Sequence, residues 1–352
     1  MADPKAAAPY LDAAREALAR FPIEGGAIEP VALGENVVFR VVDARGRTFA
    51  LRLHRPGYHT LAELESERAW TDALNASGLR APRGVRTDGG GWYVAVETPD
   101  PAGRRFAGLT AWTEGEILFD VVDREGAAAA PGHFARLGET IAALHRQSEA
   151  WTPPSGFSRH ALDRDGLVGE APFWGRFWES RQLNAGERAL AGAARARIAA
   201  RLGAMDRDAA RFGLIHADLH PGNVLIHDGG LSVIDFDDAA IGWHAFDMAV
   251  ALFYAWSRPD FPTIRTAFLT GYARVRPLPP HIEGDLSLFL LLRGLSLIGW
   301  RDQRPELDPT AFLAAWKGRL MAGCRALLTR EMEGENPSPT APASRGTSLA
   351  PP

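Results

Sequence analysis

His216-Ala217-Asp218-Leu219-His220-Pro221-Gly222-Asn223, followed by Val233-Ile234-Asp235-Phe236-Asp237-Asp238, decides how the rest of the chain is read. Asp218 precedes Asn223 by five positions and Asp235 by seventeen. Pro221 and Gly222 keep the first stretch out of a helix, which places Asp218 in a loop after the strand-like run 212–215. A carboxylate there can accept a hydrogen bond from a hydroxyl and hold it in line with a phosphoryl group. Asn223 offers a neutral oxygen and Asp235 a charged one, a pair of hard ligands suited to magnesium. Transfer of a phosphoryl group to an alcohol needs these three roles, whereas three isolated turn residues would have no use for the spacing.

The neighbours of the trio are weighed in the same way. By strand alternation Asp235 and Asp237 share a face, so Asp237 is a candidate metal neighbour or substrate contact, and Asp238 is read as a capping or turn residue. His216 and His220 are expected to hold the loop by hydrogen bonds. His216, Asp218 and His220 also admit a reading as a hydrolase metal set, but that needs further ligands and makes the Asn223 and Asp235 spacing a coincidence.

Composition narrows the class. The 352 residues, 46% apolar and 23% charged, suffice for one large or two modest globular domains. A net charge of −4 gives no reason to expect nucleic acid or an anionic membrane as partner. Cys324 is the only cysteine, so no intrachain disulfide is expected and a reducing compartment fits. Residues 1–9 lack the apolar stretch of a secretory signal, and the apolar run 286–300 is interrupted by Arg293 and short of a membrane span. The expectation is a cytoplasmic protein with no membrane partner; the oligomeric state stays open. Of 39 basic residues only Lys5 and Lys317 are lysine.

Strand signals fill the first third: 27–33, 37–43 and 48–54, the last two joined by a Gly46-containing turn, then 92–97 and 105–112. An amphipathic segment near 11–21 precedes them, and a helix is expected over 61–74 with Leu61, Leu64, Trp70 and Leu74 on one face. After Trp112 the pattern turns helical, over 133–147, 187–202, 245–256, 261–275, 281–298 and 309–330, broken by two short strands, 223–227 and 231–235. Strands followed by helices indicate an α+β fold rather than alternating βαβ units. The expected division is a nucleotide-binding lobe over 1–111, a helical catalytic and acceptor-binding lobe over 112–332, and a Pro- and Ser-rich disordered tail over 333–352.

The Asp218, Asn223 and Asp235 spacing resembles the catalytic loop of protein kinases. His216-Ala-Asp-Leu-His-Pro-Gly-Asn223 with Ile234-Asp-Phe-Asp-Asp238 resembles more closely the signature of the aminoglycoside phosphotransferase and choline kinase-like superfamily, usually H-G-D-x-H-x-x-N and I-D-F-[DE]. Ala217 in place of glycine is a departure expected to matter little. Gly34-Glu-Asn-Val-Val-Phe-Arg40 and Leu53-His-Arg-Pro-Gly57 are similar to the bacterial stress-response kinase and homoserine kinase-like branch. The resemblance covers about residues 20–330 and implies a bilobal protein-kinase-like fold, with ATP and magnesium as cofactors. It further implies that Asp218 is the catalytic base and that Asn223 and Asp235 hold the metal. Gly34 and Asn36 would lie in the hairpin over the phosphates, Ala50 in the adenine pocket, and Ala111 and Trp112 in the segment joining the lobes. Asp247 would buttress the catalytic loop.

One departure is chemical. The family usually places a lysine on the third strand, tied to a helix glutamate; here the position falls on Arg52, whose expected partner is Glu67, with Glu63 one turn earlier as the fallback. Arginine keeps the charge and can fork two phosphate oxygens with different geometry. The resulting expectation is an ATP-dependent kinase acting on a hydroxyl of an amino sugar, amino alcohol or amino acid, or of a protein serine or threonine. The alternative is a nucleotide-binding pseudokinase, motivated by Arg52. Phe173, Trp174, Phe177 and Trp178 are read as core rather than acceptor pocket; Asp237, Asp260, Glu283 and Asp285 are the acids that would draw an amine-bearing acceptor.

Overall fold

Short runs rich in β-branched and aliphatic residues set the first sheet. In a computed structural model describing residues 7–34, 36–99, 103–279, 281–304 and 310–334, helix α1 (Leu11–Leu18) precedes strands β1 (Ala27–Leu33), β2 (Val37–Val42) and β3 (Thr48–Leu53). Val37, Phe39, Val41, Phe49, Leu51 and Leu53 point to one buried face, which Ala13, Ala14 and Ala17 of α1 cover. The opposite, half-buried face carries Thr48, Ala50 and Arg52. Helix α2 (Leu61–Ala76) follows, opened by a capping box between Thr60 and Glu63. It buries Leu64, Glu67, Trp70 and Leu74, while Leu61, expected on the same face, is 39% exposed. Strands β4 (Gly84–Val85), β5 (Tyr93–Glu97) and β6 (Arg104–Ala111) complete an antiparallel sheet of order β1-β2-β3-β6-β4, with β5 also on β6.

The helical part begins with β7 (Glu116–Ile117), α3 (Leu118–Glu125) and α4 (Ala130–Ala150), then β8 (Ala161–Leu162), α5 (Arg164–Val168) and α6 (Ala185–Ala204). Strands β9 (Phe212–Ile215), β10 (Val224–His227), β11 (Gly230–Val233) and β12 (Ala240–Trp243) lead to α7 (His244–Phe253), α8 (Phe261–Val275), α9 (Ile282–Asp302) and α10 (Thr310–Gly334). Two small sheets result, β11-β10-β7 and β8-β12-β9; in the second, β12 runs antiparallel to β9 and parallel to β8. Helices α4 and α8 approach so closely at Gly138 and Gly271 that a Cβ on either would strike the backbone carbonyl of Phe268 or Ala135.

The chain divides into two compact units, residues 1–167 with 205–293, and residues 168–204 with 294–352. In the second, α6 packs on α10, and Gly175 lies against the backbone of Gly299. Trp174 and Phe177 are buried there and Phe173 and Trp178 half-buried, as a packing role requires. No described helix is long and apolar enough to cross a membrane. Most of the expected tail, like Glu35 of the hairpin, lies outside the described residues.

Candidate active site

Strand β9 delivers the chain to His216, where the backbone turns sharply. Ala217 adopts φ +65°, a left-handed conformation that suits glycine and costs an alanine about 1–2 kcal/mol, so the departure at this position has a conformational consequence. Asp247, in the first turn of α7 and fully buried, holds the turn in place. Its carboxylate accepts from the N–H of His216 at 3.1 Å, the N–H of Ala217 at 2.7 Å and His145 Nε2 at 3.1 Å. His216 Nε2 donates to the Ile234 carbonyl at 3.1 Å and its Nδ1 accepts from the Asp218 N–H at 3.3 Å. Thus His216 ties the two motifs together through its ring, and Asp247 ties both to the helical core.

His145 belongs to a buried relay that the sequence did not reveal: Arg276 donates to the Tyr272 hydroxyl, which meets His145 Nδ1 at 3.0 Å. Its ring stacks on His244 with centroids 4.2 Å apart. Burial pushes His145 below the usual histidine range and His244 down to about 2. Histidines neutral in the fold contribute stability that is fully present above their unfolded value of 6.5 and is lost as pH falls toward the folded value. The protein is therefore expected to lose stability from pH 6.5 down to about pH 2. His244→Leu should lose less over that interval in urea unfolding series; equal losses would exclude this histidine as the cause.

Asp218 is engaged on both oxygens. Arg293 Nη2 from α9 donates to Oδ1, and Asn223 Nδ2 donates to Oδ2 at 3.2 Å and to the Asp218 carbonyl at 2.9 Å. With its amide nitrogen so committed, Asn223 presents Oδ1 as its remaining group. His220 Nε2 lies 3.7 Å from Asp218 Oδ2, while its Nδ1 accepts from the Gly222 N–H. Arg293, whose side chain is 5% exposed, is the residue that sequence reading missed here. Its signal was present as the single charge inside the apolar run of α9, weighed only against a membrane span.

The second motif follows the β10–β11 hairpin and is stitched to the first by the Ile234 N–H on the Asn223 carbonyl at 3.0 Å. Asp235 has φ +63° and a 39% exposed side chain. Arg52 Nη2 reaches its Oδ1 at 2.5 Å, and Arg52 Nη1 lies 3.7 Å from Asp237 Oδ1. Burial works against the charged guanidinium, but Asp235, Asp237 and Glu67 outweigh it and raise its pKa above the usual arginine value. The direct partner of Arg52 is therefore Asp235, not Glu67 or Glu63. Glu67 sits on the buried face of α2, outside ion-pair distance of Arg52, with Oε2 accepting no hydrogen bond. A carboxylate on the facing motif is simply nearer to the fork than one on the helix.

Asp237 shares the neighbourhood but is held in the protein. Asn36 Nδ2 donates to its Oδ2 at 3.0 Å, and Asn36 Oδ1 accepts from the Arg55 N–H, so Asn36 links the β1–β2 hairpin to this carboxylate. Burial would raise Asp237, yet Arg52 and the nearby histidines hold it well below the usual carboxylate range. Asp238 is half-buried and accepts from the Tyr58 hydroxyl at 2.5 Å; desolvation and the carboxylates of Asp218, Asp237 and Asp235 push it up to about 7. Arg159 donates to the carbonyls of Ala239, Phe236, Asp237 and Glu63, fastening the segment after Asp235 to the start of α2.

The remaining candidates lie on the first sheet. Ala50 and Arg52 share its half-buried face. Gly34 is open around its Cα, its N–H donating to the Asn36 carbonyl. The Ala111 N–H goes to the Arg83 carbonyl and the Trp112 N–H to Thr48, so both donors are spent within the protein. Trp112 is half-buried, with Arg40 over its ring at 5.8 Å. The donor set at the two motifs, carboxylate and amide oxygens faced by a guanidinium, is of the hard, anionic kind that suits a divalent cation with phosphate.

The chain is similar to known proteins in sequence and fold. The model of the phosphotransferase enzyme family fits residues 27–282. A homoserine kinase of Acidiphilium cryptum (strain JF-5) is 30% identical over 342 residues, covering 90% of this chain and 98% of that protein. The structure of a microcompartment-associated aminopropanol kinase superposes with a TM-score of 0.77 at 29% identity, covering 92% of this chain and 98% of that one. An amicoumacin kinase in complex with AMP-PNP, Ca2+ and amicoumacin shares the fold, with a TM-score of 0.73 at 19% identity over 93% of this chain and 96% of that one. Nothing in these likenesses supports the pseudokinase alternative. An α+β kinase-like fold, a catalytic-loop motif and a family match over most of the chain agree: the protein belongs to the phosphotransferase enzyme family, and its named relatives are small-molecule kinases.

Proposed function

We propose that the chain transfers the γ-phosphoryl group of ATP to the hydroxyl of a small amine-bearing molecule. The observation that carries this reading is Asn223, whose side chain donates to Asp218 while its backbone carbonyl accepts from the N–H of Ile234, the residue before Asp235. Asp218 orients the acceptor hydroxyl and accepts its proton. Asn223 Oδ1 and the Asp235 carboxylate would hold magnesium, which when bound neutralises charge on the phosphate oxygens. Arg52 steadies the phosphates from the sheet, and Ala50 and Trp112 flank the adenine. Asp237, occupied by Asn36, shapes the site from behind.

Homoserine and aminopropanol, the molecules named in two relatives, each carry a primary amine and a hydroxyl, which favours an amino alcohol or amino acid over a protein serine. The test is ATP turnover by the purified chain with magnesium and a panel of amino alcohols, hydroxy amino acids, amino sugars and a serine peptide, beside Asp235→Ala. Magnesium-dependent ADP release with a small amine, lost in the variant, is expected. Turnover with the peptide alone, or equal turnover in the variant, overturns the proposal.

Arg52→Lys keeps the charge while giving up the fork on Asp235. Calorimetric titration with a non-hydrolysable ATP analogue is expected to show unchanged or higher affinity. Total loss would show a site built around the guanidinium.

A further inference from the structure

His59, in the segment entering α2, Glu63, in its first turn, and His160, immediately before β8, each offer one ligand atom, and these atoms all lie within 4.8 Å of one another. We propose that these three residues form a site for a divalent transition-metal ion of the zinc type, separate from the residues assigned to the nucleotide's metal. Two imidazoles and a carboxylate are the nitrogen–oxygen donor set that selects zinc and its neighbours over magnesium, which prefers oxygen alone.

A second observation concerns His59 itself. Its side chain is 4% exposed, yet neither ring nitrogen has a hydrogen-bond partner. Instead Nδ1 faces Glu63 Oε2 at 4.0 Å, and Nε2 faces Asp237 Oδ1 at 3.8 Å, an oxygen that is itself buried without a hydrogen bond. Buried polar groups are ordinarily satisfied, so an imidazole set between two carboxylates without bonding either is placed for a ligand. The His59 and His160 rings lie nearly parallel, 20° apart with centroids at 6.2 Å. Closing to metal–ligand distances of about 2.0–2.2 Å asks for side-chain shifts on the order of an ångström.

The surroundings suit ligation. The Thr60 N–H donates to Glu63 Oε2 at 2.8 Å, orienting the carboxylate as an outer-shell partner does and leaving Oε1 for a cation. Glu63 and Asp237 supply negative charge; the Arg159 guanidinium is turned onto the backbone carbonyls already described, and Arg52 lies 3.7 Å from the same Asp237 oxygen. An ion here would clamp the start of α2 to the segment entering β8.

The test uses the full chain, stripped with a chelator and dialysed, then titrated without nucleotide with zinc by calorimetry and with cobalt(II) by visible absorption. One equivalent of zinc is expected to bind and to raise the melting temperature. His59→Gln and His160→Gln should each weaken binding at least about 100-fold and abolish that rise, while Asp235→Ala binds zinc as the parent does. Glu63→Gln, which retains an oxygen for the cap, serves if a histidine variant fails to fold, and should shift the cobalt spectrum. No binding by the parent, binding unchanged in the ligand variants, or binding lost in Asp235→Ala would each overturn the site.

Discussion

Asp218→Asn is expected to bind ATP as the parent does and to lose about 10²–10⁴-fold in turnover, the range that a positioned proton acceptor supplies. The substitution is isosteric, so what it removes is the charge and one acceptor. In the parent, Oδ1 receives Arg293 and Oδ2 receives Asn223 Nδ2, which fixes the plane of the carboxylate. An asparagine can offer its oxygen to only one of these donors and sets an NH2 against the other. The Arg293 side chain, 5% exposed, also loses its anionic partner, and truncating one side of a buried pair costs more than the pair itself contributes. The variant should therefore melt lower as well as turn over slowly. Titration with an ATP analogue separates the two effects: retained affinity with lost turnover assigns the chemistry to Asp218. Full activity would remove it from the base role.

The parts of the fold legible beforehand are those with a repeating physical signal. Strands β1 to β3 are short runs rich in β-branched or aliphatic residues and were bounded within a residue, and α8 matches its expected span at both ends. The two-residue strands β4, β7 and β8 carry too few residues for any period. Strand β12 lies between the expected strand 231–235 and the expected helix 245–256, where no periodic signal marked it, and is set by pairing with β9. At the site, Asn223 donates to Asp218 and its carbonyl accepts from Ile234, next to Asp235, so the three residues picked by spacing lie on adjoining segments. Arg293, the partner of Asp218, was marked only as the single charge in an apolar run, while His145, Tyr58 and Arg159, which bond Asp247, Asp238 and the backbone after Asp235, arrive from distant segments and nothing local marks them. Glu67 shows the reverse failure. A family habit supplied it as the partner of Arg52, and the longer, forked side chain reaches Asp235 instead. Ala217 shows a third kind: a one-methyl departure in the motif hides a backbone requirement that only φ reveals.

That backbone requirement makes Asp247 the second position of large effect. Its carboxylate accepts from two consecutive backbone N–H groups and from His145, all within a fully buried environment. Asp247→Ala leaves those donors without acceptors, each at about 1–3 kcal/mol, and strands a buried imidazole, so a loss of roughly 3–5 kcal/mol is expected. Against a total of about 5–15 kcal/mol, the variant should remain folded but close to its limit. Asp247→Asn retains one acceptor oxygen, enough for one or two of the donors, and should fall between. The functional cost has a different origin. The Asp247 bonds oppose relaxation of Ala217 out of its left-handed conformation, and the next residue is Asp218. A displacement of about 1 Å at a reacting group costs on the order of 10²-fold, although Asp247 touches no ligand in this scheme. Urea unfolding and turnover of Asp247→Asn at saturating ATP therefore report on two separate roles. Lower stability with about 100-fold slower turnover and an unchanged KM for ATP identifies Asp247 as the residue that positions the base. Lower stability with unchanged turnover would confine it to the fold, and would leave His216, bonded to both motifs, as what holds Asp218 in place.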